Sequence, residues 1–360
     1  MKDETKNKII TIGFAIILIT VFIINIAIKD KTISTTERRK LAQFPEITVK
    51  KLLNGEVAKK WENYAVDQFV ARDYLREVKS FYNTNIYKQK DNNKLFEKDG
   101  TIYKMEYPLN TNNIIKTAEK IKEVQEKYLK DNKVYYAIIP DKNYYLQNDD
   151  HLKIDYQTLK QAMESKLQNM QYINIWNSLT LEDYYKTDLH WKQEKLQNTV
   201  KVLQKHMNLE PISTKYDKIE VGNFYGAYYG QLAANVSADK MYILNNKTIE
   251  NCITYNYETN KTGKVYEKPN SSDKYDIYLS GATPLITIEN KNASTQKELL
   301  LFRDSFGSSI APLLMENYKK ITLIDLRYIS STLLDQYIDF NNQDVLFLYS
   351  TLILNQNILK

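Results

Sequence analysis

Residues Ile9 to Ile28 (IITIGFAIILITVFIINIAI) run for 20 positions without a charged side chain. As a helix rising about 1.5 Å per residue, the run spans about 30 Å, the thickness of a bilayer's hydrocarbon core. It exceeds the roughly 7 to 15 residues of a signal-peptide apolar region, and no A-x-A-like cleavage pattern follows it. The expectation is an uncleaved transmembrane anchor over 9–28 behind a short tail, 1–8; a buried core helix or a cleaved signal are the alternatives. Lys2, Lys6 and Lys8 precede the run, and Lys29, Lys31, Arg38, Arg39 and Lys40 follow it. This balance does not by itself put the rest of the chain outside, although long domains translocate despite local charge. The exterior placement rests on the chemistry below.

The 360 residues include only nine Gly and seven Pro, which excludes collagen-like and Pro- or Gly-rich disordered chains. With 43% apolar and 12% aromatic residues the chain can bury a sizeable core. Cys252 is the single cysteine and the three histidines are scattered, so no intrachain disulfide and no metal site built on Cys or His is expected, a site of Asp and Glu alone being left open; no cofactor is expected. The net charge of +6 is spread among interleaved acids and bases, and no nucleic-acid partner is expected.

Residues 29–110 read as a helical stalk or clasp, with apolar residues at helical intervals between 48 and 87. From Thr111 the text alternates short apolar strands with helices. The strands are Lys133 to Ile139, Tyr172 to Trp176, Glu298 to Phe302, Lys320 to Leu326 and Val345 to Tyr349. The helices are Thr111 to Leu129, Asp155 to Met170, Trp191 to Met207, Gly307 to Tyr318 and Leu333 to Phe340. That rhythm predicts an α/β domain over 111–360 with a parallel sheet covered on both faces. A β-rich insertion, about 210–297, interrupts it with short strands and Asn, Gly, Ser and Asp turns.

Ligands of such sheets gather at the carboxyl ends of the strands, and two loops there carry reactive residues. In LLLFRDSFGSS a strand runs into Asp304-Ser305-Phe306-Gly307 and then a helix. A Ser at such a turn presents its hydroxyl, and N–H groups near Phe306 and Gly307 at the helix start suit an oxyanion. An ordinary helix N-cap uses the same residue types. In TDLHW, Asp188 and His190 lie two apart, so in extended chain both side chains point the same way and a carboxylate can orient an imidazole. A nucleophilic Ser needs that pair as base and orienter. His151 sits in a charged loop and His206 at a helix end, where a cation merely suits the dipole; His190 alone has both an Asp two residues before it and a Trp beside it.

TDLHW resembles the D-x-H-W signature of the DHHW proteins, relatives of the bacterial alginate O-acetylation proteins with an SGNH-hydrolase-like fold, and RDSFGSS resembles their Ser block. ERRKLAQFPEIT, YAVDQFVARDYL, KDGTIY, IPDK, NFYGAYYG and IDLRY also look like family blocks in family order. The resemblance implies a three-layer SGNH-like domain with Ser305 as nucleophile, His190 as general base and Asp188 as its orienter. It further implies a membrane-anchored, extracytoplasmic O-acetyltransferase of a cell-surface or extracellular polysaccharide, supplied by a multi-pass membrane acyltransferase partner. Leu189 stands where the family has its middle His, and Arg303 where simple SGNH hydrolases have Gly. An acetylesterase with the same triad, and a non-catalytic glycan-binding assembly factor, are the rival expectations.

Other candidates for substrate or oxyanion contact are less distinctive. Asp141 and Lys142 follow a strand end and border the expected pocket, or form an exposed turn. Arg327 could bind an anion or pair with Asp325 or Asp304. Asn223, Tyr225, Tyr228 and Tyr229 in GNFYGAYYG could form a sugar-stacking edge, although 29 tyrosines make such clusters common by composition.

Overall fold

The computed structural model describes residues 3–147, 150–211, 215–269 and 271–360; positions 212–214 and 270 of the expected insertion lie outside that set. The chain divides into two units, Met1–Asn93 with Tyr229–Asn235, and Lys94–Tyr228 with Val236–Lys360.

The first unit begins with α1 (Asp3–Ala27), a helix long and apolar enough to cross a membrane, none of whose residues is buried by the rest of the chain. An α-helix satisfies its backbone polar groups internally, which leaves the apolar side chains as its outer surface. The short strands β1 (Ile33–Ser34) and β2 (Arg39–Lys40) pair antiparallel. Helices α2 (Val49–Leu53), α3 (Glu56–Asp67) and α4 (Arg72–Phe81) follow. The Thr48 hydroxyl caps α2, and Gly55, at φ 76°, makes the left-handed turn into α3 that a side chain would disfavour. Asp67 closes α3 and ties the strands to it, accepting from both ends of the Arg39 guanidinium at 2.8 and 2.6 Å and from Ala42 N–H at 2.8 Å. Those Arg39 hydrogen bonds hold its carboxyl down to about 2.

The second unit opens with a hairpin, β3 (Leu95–Lys98) and β4 (Thr101–Lys104), turning at Asp99-Gly100 with both residues at positive φ, as an Asp-Gly pair favours. Helix α5 (Thr111–Tyr128), capped by Asn110, buries Ile114, Ala118, Ile121 and Val124 on one stripe. Then come β5 (Val134–Ile139), α6 (Tyr156–Lys166), β6 (Gln171–Tyr172) and α7 (Gln197–His206). The interrupting region supplies β7 (Asp217–Phe224), α8 (Ala227–Leu232, which from Tyr229 on belongs to the first unit), β8 (Asp239–Asn245), α9 (Lys247–Glu250), β9 (Ile253–Asn256), β10 (Lys261–Gly263) and β11 (Leu285–Glu289). The alternation resumes with β12 (Glu298–Arg303), α10 (Phe306–Ile310), β13 (Lys320–Ile324), β14 (Asp344–Ser350) and α11 (Thr351–Leu354).

Eight strands form the main sheet in the order β10-β9-β11-β13-β12-β14-β5-β6. The run β13-β12-β14-β5-β6 is parallel, and β11, β9 and β10 continue it antiparallel. Every residue of β5 is buried, as is every residue of β12, β13 and β14 after the first, so helices and loops cover both faces in three layers. Each apolar side chain so enclosed contributes roughly 1.5–3 kcal/mol, and β12 spends four of its six residues on Leu299, Leu300, Leu301 and Phe302. This anchors the turn after it.

The interrupting region is β-rich, but only β7 and β8 stand apart as a hairpin; β9, β10 and β11 extend the main sheet. The predicted helix from Gly307 ends as α at Ile310 and continues as a 3-10 turn over Ala311–Leu314, because Pro312 cannot donate the next helical bond. The stretch before α7 is likewise a 3-10 turn, Gln193–Lys195, rather than helix from Trp191.

Candidate active site

Strand β12 ends at Arg303 beside the last residues of β14. Asp304 then fastens the turn: its Oδ2 accepts from Ser350 N–H at 2.8 Å and its Oδ1 from Phe306 N–H at 3.0 Å. Ser305 follows with φ −60° and ψ −24°, its side chain free of any capping bond to α10. Gly307 is required here because a Cβ would lie 2.5 Å from Arg303 Cβ. The turn is therefore pinned at both ends while the hydroxyl remains available.

The second loop is held by another carboxylate. Buried Asp239 accepts from Lys186 N–H at 2.9 Å, Thr187 N–H at 2.9 Å and the Thr187 hydroxyl at 2.6 Å. Asp188 next accepts at Oδ1 from His190 N–H at 3.0 Å and meets His190 Nδ1 at 2.5 Å, while its Oδ2 takes Ala227 N–H at 2.7 Å. With donors at both oxygens the carboxylate is a pure acceptor, so Nδ1 carries the ring proton and Nε2 presents a lone pair. Ser305 Oγ lies 2.7 Å from that Nε2. Asp188, His190 and Ser305 thus form one continuous hydrogen-bond chain, and Asp188 and His190 are buried.

The imidazole is clamped by aromatic rings. Tyr275 stacks on it with centroids 3.8 Å apart and planes 11° from parallel, and Phe306 lies 4.8 Å away. Tyr275 Oη meets Ser309 Oγ at 2.9 Å, and Ser309 Oγ accepts from Trp191 Nε1 at 2.8 Å, so the stacking ring is itself fixed. Gln193 adds a tie, donating to Ser309 O and accepting from Leu244 N–H.

The other sequence candidates fall in different places. Phe306 N–H donates to Asp304 Oδ1 and Gly307 N–H to Asp304 O at 3.0 Å, so these two are not free oxyanion donors, contrary to the expectation. Asp304 has drawn both inward as a turn cap. Ser305 N–H has no acceptor among the described residues and takes their place as the available donor. Arg327 is engaged with Asp325 through Nε at 2.8 Å and an Nη at 2.6 Å, and the same carboxylate faces fully buried Arg303 at 3.6 Å. Burial opposes the Arg327 charge, and Asp325 more than offsets it. Asn223 sits on the β7–β8 hairpin, its carbonyl accepting from Lys274, and Tyr225 is exposed two residues before Ala227. Tyr228 is buried within the second unit, and Tyr229 belongs to the first. Asp141 is buried too, accepting from Tyr156, Thr351 and Asn143.

Lys142 is buried in a cage of carbonyls, donating to Ile102 O, to Tyr185 O at 3.0 Å and to Lys186 O at 3.3 Å. It holds the chain just before Asp188 and makes no substrate-facing donor. Burial pulls its ammonium down to about 7, with Asp188, Asp239 and Asp141 opposing. Since the unfolded ammonium titrates near about 10.4, the unfolded chain binds the extra proton between those values and this group makes stability rise with pH across that window. Lys142→Met removes that contribution. Urea midpoints measured at about pH 7 and about pH 9.5 are expected to diverge between the two proteins, the wild type gaining more with pH; parallel changes would refute it.

Three contributors left little sequence signal. Tyr275 is one of 29 tyrosines, and Asp239 lies 51 residues from Asp188 with no motif around it. Gly226 was visible only as part of a Gly-rich turn. A Cβ there would overlap Asp188 Cβ and lie 2.5 Å from Asp188 Oδ2 and Thr187 O. Gly226→Ala is expected to push Asp188 off the imidazole and lower turnover roughly 10²-fold with the fold retained. Steady-state kinetics beside a melting curve checks this, and unchanged turnover would contradict it.

No family model matches the chain, and no curated protein matches it either. Among solved structures it is similar to a DHHW family protein from Eubacterium siraeum, with a TM-score of 0.60 and 18% identity over 75% of this chain and 97% of that one. It is also similar to Bacillus cereus PatB1, with a TM-score of 0.58 and 20% identity over 75% of this chain and 98% of that one; a second PatB1 structure carries a sulfonyl adduct. The O-acetyltransferase domain of Pseudomonas putida AlgJ superposes at a TM-score of 0.46 with 9% identity over 73% and 92% of the two chains. At these identities the likeness is one of architecture: the chain has the α/β fold of a DHHW family protein and of PatB1.

Proposed function

We propose that this chain is a membrane-anchored, extracytoplasmic O-acetyltransferase that modifies a cell-surface or extracellular polysaccharide through an acetyl-Ser305 intermediate. The observation that carries the reading is the unbroken line from Asp188 Oδ1 to His190 Nδ1 and from His190 Nε2 to Ser305 Oγ, at 2.5 and 2.7 Å. A serine hydroxyl is weakly acidic, and this arrangement supplies the base and the group that fixes its tautomer. Ser305 Oγ bonds to the acyl carbonyl carbon as its proton passes to His190 Nε2. The tetrahedral oxyanion accepts from Ser305 N–H. As the donor's C–O bond breaks, His190 returns the proton to the departing oxygen, leaving acetyl-Ser305. A sugar hydroxyl then attacks the acetyl carbon, gives its proton to His190, and Ser305 leaves with that proton restored.

Residue α1 content supports the anchor: the helix is apolar along its length and unburied by the rest of the chain. Such an anchor would keep the enzyme beside a multi-pass membrane acyltransferase that delivers acetyl groups across the bilayer. B. cereus PatB1 forms a sulfonyl adduct, which makes an aryl sulfonyl fluoride a natural probe of Ser305 here. The test of transfer is incubation with an activated acetyl ester and a glycan oligosaccharide. Acetylated oligosaccharide formed by wild type and not by Ser305→Ala supports the reading, whereas free acetate alone, undiminished by the oligosaccharide, assigns the chain to the esterases.

A further inference from the structure

The first unit carries exposed aromatic side chains that the chemistry above does not use. Phe44, Trp61 and Phe69 are 58%, 43% and 41% exposed. Phe44 and Trp61 each pack edge-on against one ring, Tyr64, with centroids 5.3 and 6.3 Å away. These three rings form one cluster, and exposed Phe69 follows in the turn just beyond α3.

The depth of that patch is set by hydrogen bonds to the end of α1. Asn25 lies inside the uncharged run, three residues or about 4.5 Å along a helix from its end at Ile28. Its Oδ1 accepts from Val70 N–H at 2.8 Å. Tyr64 Oη donates to Asp30, two residues beyond the run, at 3.1 Å. Gln68 exchanges two bonds with the backbone of Lys31, both at 2.9 Å. The C-terminal half of α3 and the turn after it are thus fastened to positions 25–31, where a spanning helix passes from hydrocarbon into headgroups. Between them lies a cavity of about 260 Å³ lined by Ile28, Phe69 and Val70 together with Lys29 and Lys31.

We propose that this patch is a lipid-docking surface: Phe44, Trp61, Tyr64 and Phe69 lie in the headgroup layer beside the exit of α1, with Lys29 and Lys31 facing lipid phosphates. The inference rests on the reading of α1 as a membrane anchor. Aromatic rings prefer the bilayer interface, where the ring is desolvated while its polar edge stays wet, and lysines beside the hydrocarbon edge reach anionic headgroups. An aromatic patch held at this depth by three separate ties has lipid as its neighbour. A protein partner, in contrast, would leave the patch in water when the chain is alone in a bilayer.

Trp61 is a built-in reporter, since Trp176 and Trp191 are fully buried. The full chain is reconstituted into vesicles of phosphatidylethanolamine and phosphatidylglycerol, with and without phospholipid brominated near the headgroup end of its acyl chains. Flotation is measured on the same samples, and Trp61→Phe supplies the emission of the two buried tryptophans. The expected result is that the chain floats and that bromolipid quenches the Trp61 emission by roughly a factor of two or more, with no quenching in Trp61→Phe. A chain that floats while Trp61 keeps its emission overturns the docking surface and leaves the anchor standing. A chain that fails to float overturns both.

Discussion

Ser305→Ala is expected to reduce acetyl-ester turnover by roughly 10³ to 10⁶-fold, with His190→Ala in the same range and Asp188→Asn near 10⁴-fold. The three losses should not add. Each variant breaks the same proton path, so Ser305→Ala/His190→Ala should be about as slow as the worse single variant. Asp188→Asn is the most informative of the three, because an amide keeps the shape of the carboxylate but can no longer accept from both oxygens. One side must then turn an NH₂ toward His190 Nδ1 or Ala227 N–H, groups now 2.5 and 2.7 Å from the carboxylate. Where the NH₂ faces Nδ1 the imidazole is driven to the wrong tautomer, with its proton on Nε2 facing Ser305; where it faces Ala227 N–H the orienting side chain is pushed off its anchor. The melting curve of Ser305→Ala should stay close to wild type, since Ser305 is a half-buried side chain with one hydrogen bond. Additive losses, or near-normal turnover in Asp188→Asn, would contradict the triad.

A second large effect is on stability, not rate. Asp325 is fully buried, takes both arms of Arg327, and is the carboxylate that faces fully buried Arg303 at 3.6 Å. Burial already pushes the Arg303 guanidinium down, and Asp325 is the first charge opposing that push. Its other polar contacts, to Asp304 O and Thr283 Oγ1, are both 3.4 Å long. Asp325→Ala strands that charge in the core beneath the nucleophile turn. Removing one partner of a buried ion pair costs about 3–5 kcal/mol, and in a domain of this size that lowers the melting temperature by roughly 6–20 °C. Asp325→Asn keeps the volume and some of the hydrogen bonding and should fall between. Calorimetry that finds Asp325→Ala as stable as wild type would show that Arg303 is compensated by other groups.

Much of the fold was legible because parallel strands buried on both faces are written as short unbroken apolar runs. LLLF in β12 and VLFLY in β14 admit few other readings, and the observed strands Glu298–Arg303 and Asp344–Ser350 match them within a residue or two. The site was legible for a different reason. Asp188 and His190 sit two apart on one loop, and Ser305 at a strand-to-helix turn, so local spacing made them candidates beside ordinary helix caps, and the resemblance to the DHHW proteins singled them out. What local spacing could not supply was contact across the chain. Asp239 grips Thr187 from 52 residues away, and Tyr275 stacks on His190 from 85 residues away. Neither lies in a patterned stretch.

The oxyanion donors illustrate a finer limit. A helix start normally leaves N–H groups free, which made Phe306 and Gly307 reasonable choices, but the side chain and carbonyl of Asp304 absorb both. Side-chain caps of this kind depend on a rotamer and not on composition. The joining of β9, β10 and β11 to the main sheet is likewise not written in local pattern, because antiparallel edge strands carry the same Tyr, Ile and Thr pattern whether they form a separate layer or extend an existing one.

The proposed chemistry requires a covalent bond at one oxygen, Ser305 Oγ. Intact mass of the full chain after incubation with an activated acetyl ester, followed by peptide mapping, measures it directly for wild type and Ser305→Ala. The prediction is a gain of one acetyl group on wild type, carried by the peptide containing Ser305, absent from the variant and discharged when a glycan oligosaccharide is added. Ester turnover that proceeds equally in both proteins, with no acetyl on Ser305, would contradict it.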